Sequence, residues 1–487
     1  LAKDIDLTDV IWTPIGNGSV AFAGSLDGAN HTISNLHVDY ATAASGERLY
    51  LGLFGQVEGT PEKHAVIQNL TVTGSVNAAS EFSVYSGYVA GVVGSARNAE
   101  LSNVISRVNV TADEKVGNVA SVGGLAGAMI DTTVTNCGNE GDVTGVNNLG
   151  GLCYELYSGT MTGCYNTGRI TATGTYVGGL MGYAKQATIT NAYSTGDVTT
   201  EKTLVGGLIG VMEKSSLTNA YVSGKVTTAA ASGAIGAAVG SADQVSNVYY
   251  LGSASAIGDE NATAKTAEEL KALAPTLGSS FKENTGCGGY PLLVWQEARA
   301  HQYENGVCTV CGAKDPAAPY LLDGVTDAAA EVQTGKSYQL DDLMDGKIFG
   351  VKNGTLTYKN YFYTMSSDGG ATWSGEQHFE EAMFGGVNKS LVQSKAGTYI
   401  YKFRAKNDAG YSADTWTLTL TFVDVVEANI NFYVGRDQNY STNGNKYPIL
   451  KMYKTAGIDE NQFDYVGWFT DAEGKTVYVY NPADYTI

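Results

Sequence analysis

Apolar positions in the first half of the chain recur in blocks of nearly constant length. "YVGGLMGYAKQATITNAYSTGDVTT" (Tyr176 to Thr200) is followed by "LVGGLIGVMEKSSLTNAYVSGKVTT" (Leu204 to Thr228). The glycine of each "GGL" or its equivalent falls at Gly124, Gly151, Gly179, Gly207 and Gly236, at intervals of 27, 28, 28 and 29 residues. Looser copies begin at "LGLFG" (Leu51 to Gly55) and "VAGVVG" (Val89 to Gly94), which makes seven turns. Apolar columns line up across the copies: Leu125, Leu152, Leu180 and Leu208; Val134, Met161, Ile189, Leu217 and Val245; Val143, Ile170, Val198 and Val226. Three inward columns nine or ten residues apart predict three short strands per turn. One such turn cannot bury its apolar face alone, whereas stacked turns share a continuous core. The expected fold is all-β, a right-handed parallel β-helix with three strands per ~28-residue turn, about 34 Å long at the usual strand spacing.

Polar columns fit the same geometry. Asn103, Asn136, Asn191, Asn219 and Asn247 share one corner, where an amide ladder can satisfy bent backbone. Asp142, Arg169, Asp197 and Lys225 each precede a third-column residue, so they face outward with alternating charge, as register control. Cys137 and Cys164 share a rung position with Ala192 and Ala220 and are read as small buried thiols. Tyr165, Tyr193, Tyr221 and Tyr249 recur every 28 residues. An exposed tyrosine column would stack sugar rings or anchor a protein. A packed one would be core, and strand parity does not choose, because the column follows a corner.

Composition sets the class. The 61 glycines against 8 prolines, with Thr, Val, Ile and Tyr between them, are strand chemistry with turn punctuation. A formal charge of -19 and no basic stripe exclude nucleic acid as the expected partner. The chain opens "LAKDIDL" without a basic and apolar leader, and no apolar run reaches membrane-spanning length. The expectation is an excised piece of a larger extracellular or cell-surface protein, with signal peptide and anchor lying outside it.

The units "VGGLMGYAKQATITNAYSTGDV" and "VGGLIGVMEKSSLTNAYVSGKV" resemble GLUG-motif repeats of bacterial surface proteins, and Asp4 to Val38 resembles the leader that precedes them. The resemblance covers roughly residues 1 to 300. It implies a secreted or surface-attached bacterial protein and supplies no catalytic residue. On this reading residues 1–40 are the leader and cap, 41–250 the repeats, and 251–300 a C-terminal cap in which Thr266 and Glu269 form a capping box. Residues 301–319 form a cysteine-containing linker. Residues 320–424 resemble an Ig-like sandwich, whose last two strands lie in "AGTYIYKFRAKNDAGYSADTWTLTLTFVDV", and 425–487 a small β module with a "GW" hairpin.

Candidate chemistry is sparse. Cys287, His301, Cys308 and Cys311 form C-x13-H-x6-C-x2-C, enough ligands for a tetrahedral structural zinc, with a disulfide or a plain linker as competing readings. No other cofactor is expected. "SSDGGATW" (Ser366 to Trp373) fits the Asp-box pattern of sialidases, but one copy without propeller periodicity is read as a self-sufficient turn. Asp142 and Asp197, two rungs apart at about 9.6 Å, are the one outward carboxylate pair that suits glycoside hydrolysis, with Arg169 between them. Asp4 and Asp6 are read as hydrogen-bonding the cap. No catalytic residue is assigned. The leading expectation is a non-enzymatic, monomeric adhesin presenting a rigid β-helix face to a host glycoprotein, mucin glycan or immune protein, without membrane insertion. The alternatives are a β-helix glycoside hydrolase or polysaccharide lyase, and a passive stalk.

Overall fold

The computed structural model describes residues 1–40, 48–79, 86–254, 257–379, 389–429, 451–455, 469–470 and 476–478. They divide into two compact units, Leu1–Arg299 and Ala300–Ile487.

The first unit is a parallel β-solenoid of about eight turns. One seven-stranded sheet runs from Phe54–Glu58 to Val239–Ser241, and a second from Arg48–Leu51 to Ile235–Gly236. The third is larger, because a rung can give it two strands, such as Thr188–Ser194 and Val198–Thr200, and because the leader adds Ser25–Tyr40, which pairs with Ala65–Ala78. This leader strand accounts for the turn beyond the seven legible in the repeats. All three predicted columns point inward. Leu125, Leu152, Leu180, Leu208, Val134, Met161, Ile189, Leu217, Val143, Ile170 and Val198 are fully buried.

The paired glycines divide two duties. A Cβ on Gly123, Gly150, Gly178 or Gly206 would lie 1.8–2.1 Å from the carbonyl oxygen three residues on, so the first glycine permits a tight turn within the rung. A Cβ on Gly124, Gly151, Gly179 or Gly207 would lie 2.0–2.4 Å from the carbonyl oxygen of the next rung, so the second permits close stacking between rungs. One alignment is corrected. Gly236 pairs with Gly206, and Ala237 takes the place opposite Gly207, so the last connection is one residue longer than the text alignment implies.

The asparagine corner forms as a left-handed break in each strand. Asn103, Asn136, Asn191, Asn219 and Asn247 all hold φ between 52° and 55°. Asn219 Nδ2 donates to Asn191 Oδ1 at 3.1 Å, and Asn247 Nδ2 to Asn219 Oδ1 at 2.7 Å. Asparagine tolerates this region better than other side chains, and the break resets which residues face inward. A second amide column lies within the core. Asn139 and Asn166 are buried, and Asn139 Nδ2 donates to Gly141 O at 2.7 Å and Asn166 Oδ1 at 2.9 Å. Cys137 and Cys164 are buried beside this column, with no disulfide. Asp142, Arg169, Asp197 and Lys225 are exposed as expected. Their coupling, however, runs through backbone: Asp142 accepts the Arg169 N–H and Asp197 the Lys225 N–H, both at 2.8 Å.

Carboxylates tie down backbone near both ends of the solenoid. Asp4 accepts the Thr32 N–H and Asp6 the Thr8 N–H, each at 2.9 Å, which satisfies leader backbone. At the far end Asp259 Oδ2 accepts the N–H groups of Ala238 and Val239 at 2.8 and 2.6 Å. The Thr266–Glu269 capping box starts helix Ala267–Lys271, and a second short helix, Ala274–Leu277, follows. These helices lie on the flank, packing Leu270, Leu273 and Leu277 against the tyrosine column.

In the second unit, Gly397–Asn407 pairs antiparallel with Trp416–Val423, as the alternating pattern predicts, and with Tyr361–Ser366; Ala328–Gln333 joins in parallel. The Asp-box segment is a closed turn. Asp368 accepts the Thr372 N–H at 2.9 Å and the Ser366 hydroxyl at 2.7 Å, and Lys402 Nζ sits 4.4 Å over the Trp373 ring. Hydrogen bonds from Thr372 and Ser366 hold the Asp368 carboxyl far below its usual range. The "GW" module at 425–487 lies outside the described residues, apart from the strand pairs Val425–Asn429 with Lys451–Thr455 and Phe469–Thr470 with Thr476–Tyr478.

Candidate binding face and metal-ligating cluster

The predicted tyrosine column exists, but three of its members are covered. Tyr165, Tyr193 and Tyr221 are 4%, 2% and 0% exposed, with successive rings stacked at 5.4 and 5.1 Å. Leu270, Leu273, Leu277, Phe281 and Leu293 of the cap pack on them. The Tyr221 hydroxyl donates to Pro291 O, Gln296 Nε2 donates to the Tyr193 oxygen at 2.8 Å, and Trp295 Nε1 donates to Gly163 O at 3.0 Å. Tyr249 is half-buried, its hydroxyl donating to Asn247 Oδ1 at 2.7 Å. Of the two readings open for this column, the packed one holds for Tyr165, Tyr193 and Tyr221, and they are not an exposed binding ladder: the corner that resets strand parity turns the column toward the cap.

Glu140 closes this column. Its side chain is 12% exposed, and it accepts the Tyr165 hydroxyl at 2.7 Å and Arg107 Nε at 2.9 Å, with Arg299 on the same carboxylate. Burial pushes the carboxyl up, but Tyr165, Arg107 and Arg299 outweigh it and hold the pKa below the ordinary value. A depressed carboxylate stabilises above its unfolded pKa, about 4.3, and that contribution is lost as pH falls through the folded value. Glu140→Gln is expected to cost about 1–3 kcal/mol at pH 7, toward the lower end because both arginines are more than half exposed. Melting temperatures measured from pH 7 down to pH 3 should show wild type and variant converging; a gap independent of pH would refute this assignment.

A further set of half-buried aromatics lies on another part of the solenoid surface. Tyr50 and Tyr88 stack at 5.3 Å on neighbouring rungs. Ser121 follows on the next rung. Tyr154, Tyr176 and Tyr183 then form a second cluster, with Tyr154–Tyr183 stacked at 6.5 Å and Tyr176 edge-on to both at 6.4 and 6.1 Å. All five are half-buried. Tyr154 replaces the glycine that neighbouring rungs carry at its register position, Gly127 and Gly182. Tyr176 is held at φ 60°, as are Asn148 at 63° and Leu204 at 62° in the same place on the neighbouring rungs, so a left-handed corner of the repeat turns its ring toward the other two. Beside them Glu155 is half-buried, and burial raises its carboxyl pKa. The Tyr183 hydroxyl donates to Glu213, which also pairs with Lys185 at 3.2 Å. Half-covered rings next to a desolvated carboxylate can stack on the C–H faces of a sugar while the carboxylate accepts its hydroxyls. The sequence signal was available: tyrosine standing where the repeat places glycine.

In the second unit, residues 301–319 are a folded hairpin and turn. Tyr303–Glu304 pairs with Val307–Cys308 around Asn305 and Gly306, both at positive φ. His301 Nδ1 lies 3.4 Å from Cys311 Sγ. Burial works against the Cys308 thiolate, but the N–H groups of Cys311 and Val310 and the His301 ring outweigh it and bring the thiol down to about 5. Cys287 belongs to the first unit, where its N–H donates to Arg299 O at 2.8 Å.

Paired-glycine turns, left-handed asparagine corners and a covered aromatic column together define a parallel repeat β-solenoid. Residues 173–199 match the GLUG motif, and motif and solenoid together fit a GLUG-repeat surface protein. The chain is also similar to halomucin of Haloquadratum walsbyi, 31% identical over 145 residues that make up 27% of this chain and 1% of halomucin. It thus spans about 1% of the length of the curated relative it matches. Among the described residues no helix is long and apolar enough to cross a membrane.

Proposed function

We propose that this chain is a non-enzymatic, extracellular or cell-surface binding protein, an adhesin whose solenoid presents a rigid face to a glycan or glycoprotein. The observation that supports the reading is the outward cluster of Tyr154, Tyr176 and Tyr183 beside Glu155. The outward carboxylates that would suit hydrolysis, Asp142 and Asp197, are each engaged with the backbone of the next rung, which favours binding over cleavage. The surface location accords with the GLUG motif and with the similarity to halomucin. In this reading the Ig-like and small β modules are spacers, the chain acts as a monomer, and the partner is a host glycoprotein, a mucin glycan or an immune protein.

The test is a glycan and mucin array probed with the purified chain, read for retention and for released reducing ends. Retention without products is expected. Tyr154→Ala with Tyr183→Ala should weaken it by more than about 1 kcal/mol, as for truncation of aromatic anchors at a binding face, while melting changes far less than in a core variant. Retention should also weaken as pH falls through the raised pKa of Glu155. Product release, or retention indifferent to both tyrosines, would refute the proposal.

A further inference from the structure

The segment from His301 to Pro319 is folded although it buries very little. Within it only Gly306, Cys308, Ala318 and Pro319 are buried, and Val310 is 64% exposed. An apolar core does not account for its order. What converges there is ligand chemistry: the ligand atoms of His301, Cys308 and Cys311 all lie within 4.8 Å of one another.

We propose that His301, Cys308 and Cys311 hold a structural zinc ion. Tetrahedral zinc with bonds of about 2.3 Å to sulfur and 2.0 Å to nitrogen sets its ligand atoms roughly 3.5–3.8 Å apart. The cluster therefore needs to contract by only about 1 Å to enclose the ion. The backbone is already shaped for it. The N–H groups of Val310 and Cys311 point at the Cys308 sulfur, the outer-shell bonding that orients a metal thiolate. Gly312, at φ 71°, turns the chain so that its N–H donates to Cys308 O at 2.8 Å, and Cys308 N–H donates to Ala313 O at 2.7 Å.

A disulfide between Cys308 and Cys311 is the rival, and the imidazole decides against it. His301 Nδ1 sits 3.4 Å from Cys311 Sγ, and its ring stacks on Tyr303 at 5.2 Å, which fixes its direction. A disulfide gives that imidazole no task, whereas zinc takes two thiolates and an imidazole together. Each thiol that ligates passes its proton to solvent, so uptake of zinc releases protons and weakens in acid. Thiolate and imidazole ligands select zinc over magnesium or calcium. The site is independent of the adhesin reading.

The experiment measures zinc in the reduced, full-length chain by elemental mass spectrometry after dialysis, then repeats the loading with cobalt. One zinc per chain is expected, with the sulfur-to-cobalt charge-transfer band and intense visible bands of a tetrahedral thiolate site. His301→Ala and Cys311→Ser should each weaken zinc by more than the 10- to 100-fold typical of losing an outer-shell partner. Amide exchange across 301–314 should slow when zinc is added. A reduced wild-type chain that takes up no zinc would overturn the proposal, as would a weak octahedral cobalt spectrum or a Cys311→Ser variant that binds like wild type.

Discussion

Alanine at Gly150 is expected to cost more than about 4 kcal/mol, the range reserved for changes that force backbone apart. The added Cβ would lie 1.8 Å from Cys153 O and 2.7 Å from Met181 Cα, one contact within its own rung and one with the next. Neither neighbour is the end of a flexible side chain, so relief requires moving two rungs. Because each turn is supported only by its neighbours, the damage should divide the solenoid near this rung. Limited proteolysis should then cut between 140 and 185, where wild type resists. Gly258→Ala is the control, since nothing lies within 4 Å of its added Cβ. It should stay within about 0.5 kcal/mol of wild type, and two variants that melt alike would sink this account.

Removal of the Tyr221 ring should cost about 3–5 kcal/mol, as for other fully buried aromatics. The ring is 0% exposed, stacked on Tyr193 at 5.1 Å and met by Phe281 at 6.2 Å, and its hydroxyl donates to Pro291 O. Tyr221→Ala would leave a hole between solenoid and cap and strand that carbonyl. Tyr221→Phe isolates the hydrogen bond and should cost about 1 kcal/mol. Hydrogen exchange across 267–296 is the readout: the cap should lose protection in Tyr221→Ala before the central rungs do. Equal loss everywhere would mean that the cap and the rungs unfold as one unit. Tyr154→Ala, on the half-exposed cluster, should leave that protection unchanged.

Much of the solenoid was legible because its determinants are periodic. The columns of Leu180, Ile189 and Val198 recur as apolar residues through the ordered copies, and Asn191 marks the corner by chemistry as well as spacing in most of them. Three features escaped. Tyr193 could not be assigned inside or out, because the left-handed Asn191 breaks the alternation on which parity arguments depend, and its cover arrives from residues 270–296, far along the chain. The buried amides of Asn139 and Asn166 occupy the place held by Ser194 in the next rung, so no single residue type announces the column. Tyr154 and Tyr176 were passed over because repeat matching weighs what copies share, and the half-exposed cluster is built from where they differ. The ligand spacing around Cys308 was legible as a motif; the turn that aims its sulfur was not.

The route of the cap has a mechanical consequence. After Phe281 reaches Tyr221, the chain runs back along the column: Gln296 meets Tyr193, Trp295 meets Gly163, and Arg299 meets Glu140. A pull on the chain beyond Arg299 is therefore applied at the middle of the stack, not at its last rung. It meets these bonds in sequence, as a peeling zipper rather than a sheared sheet, and the parallel ladders carry no load until the cap is stripped. Under such a pull the cap is expected to peel from the flank first, while the rungs that hold Tyr154, Tyr176 and Tyr183 stay folded.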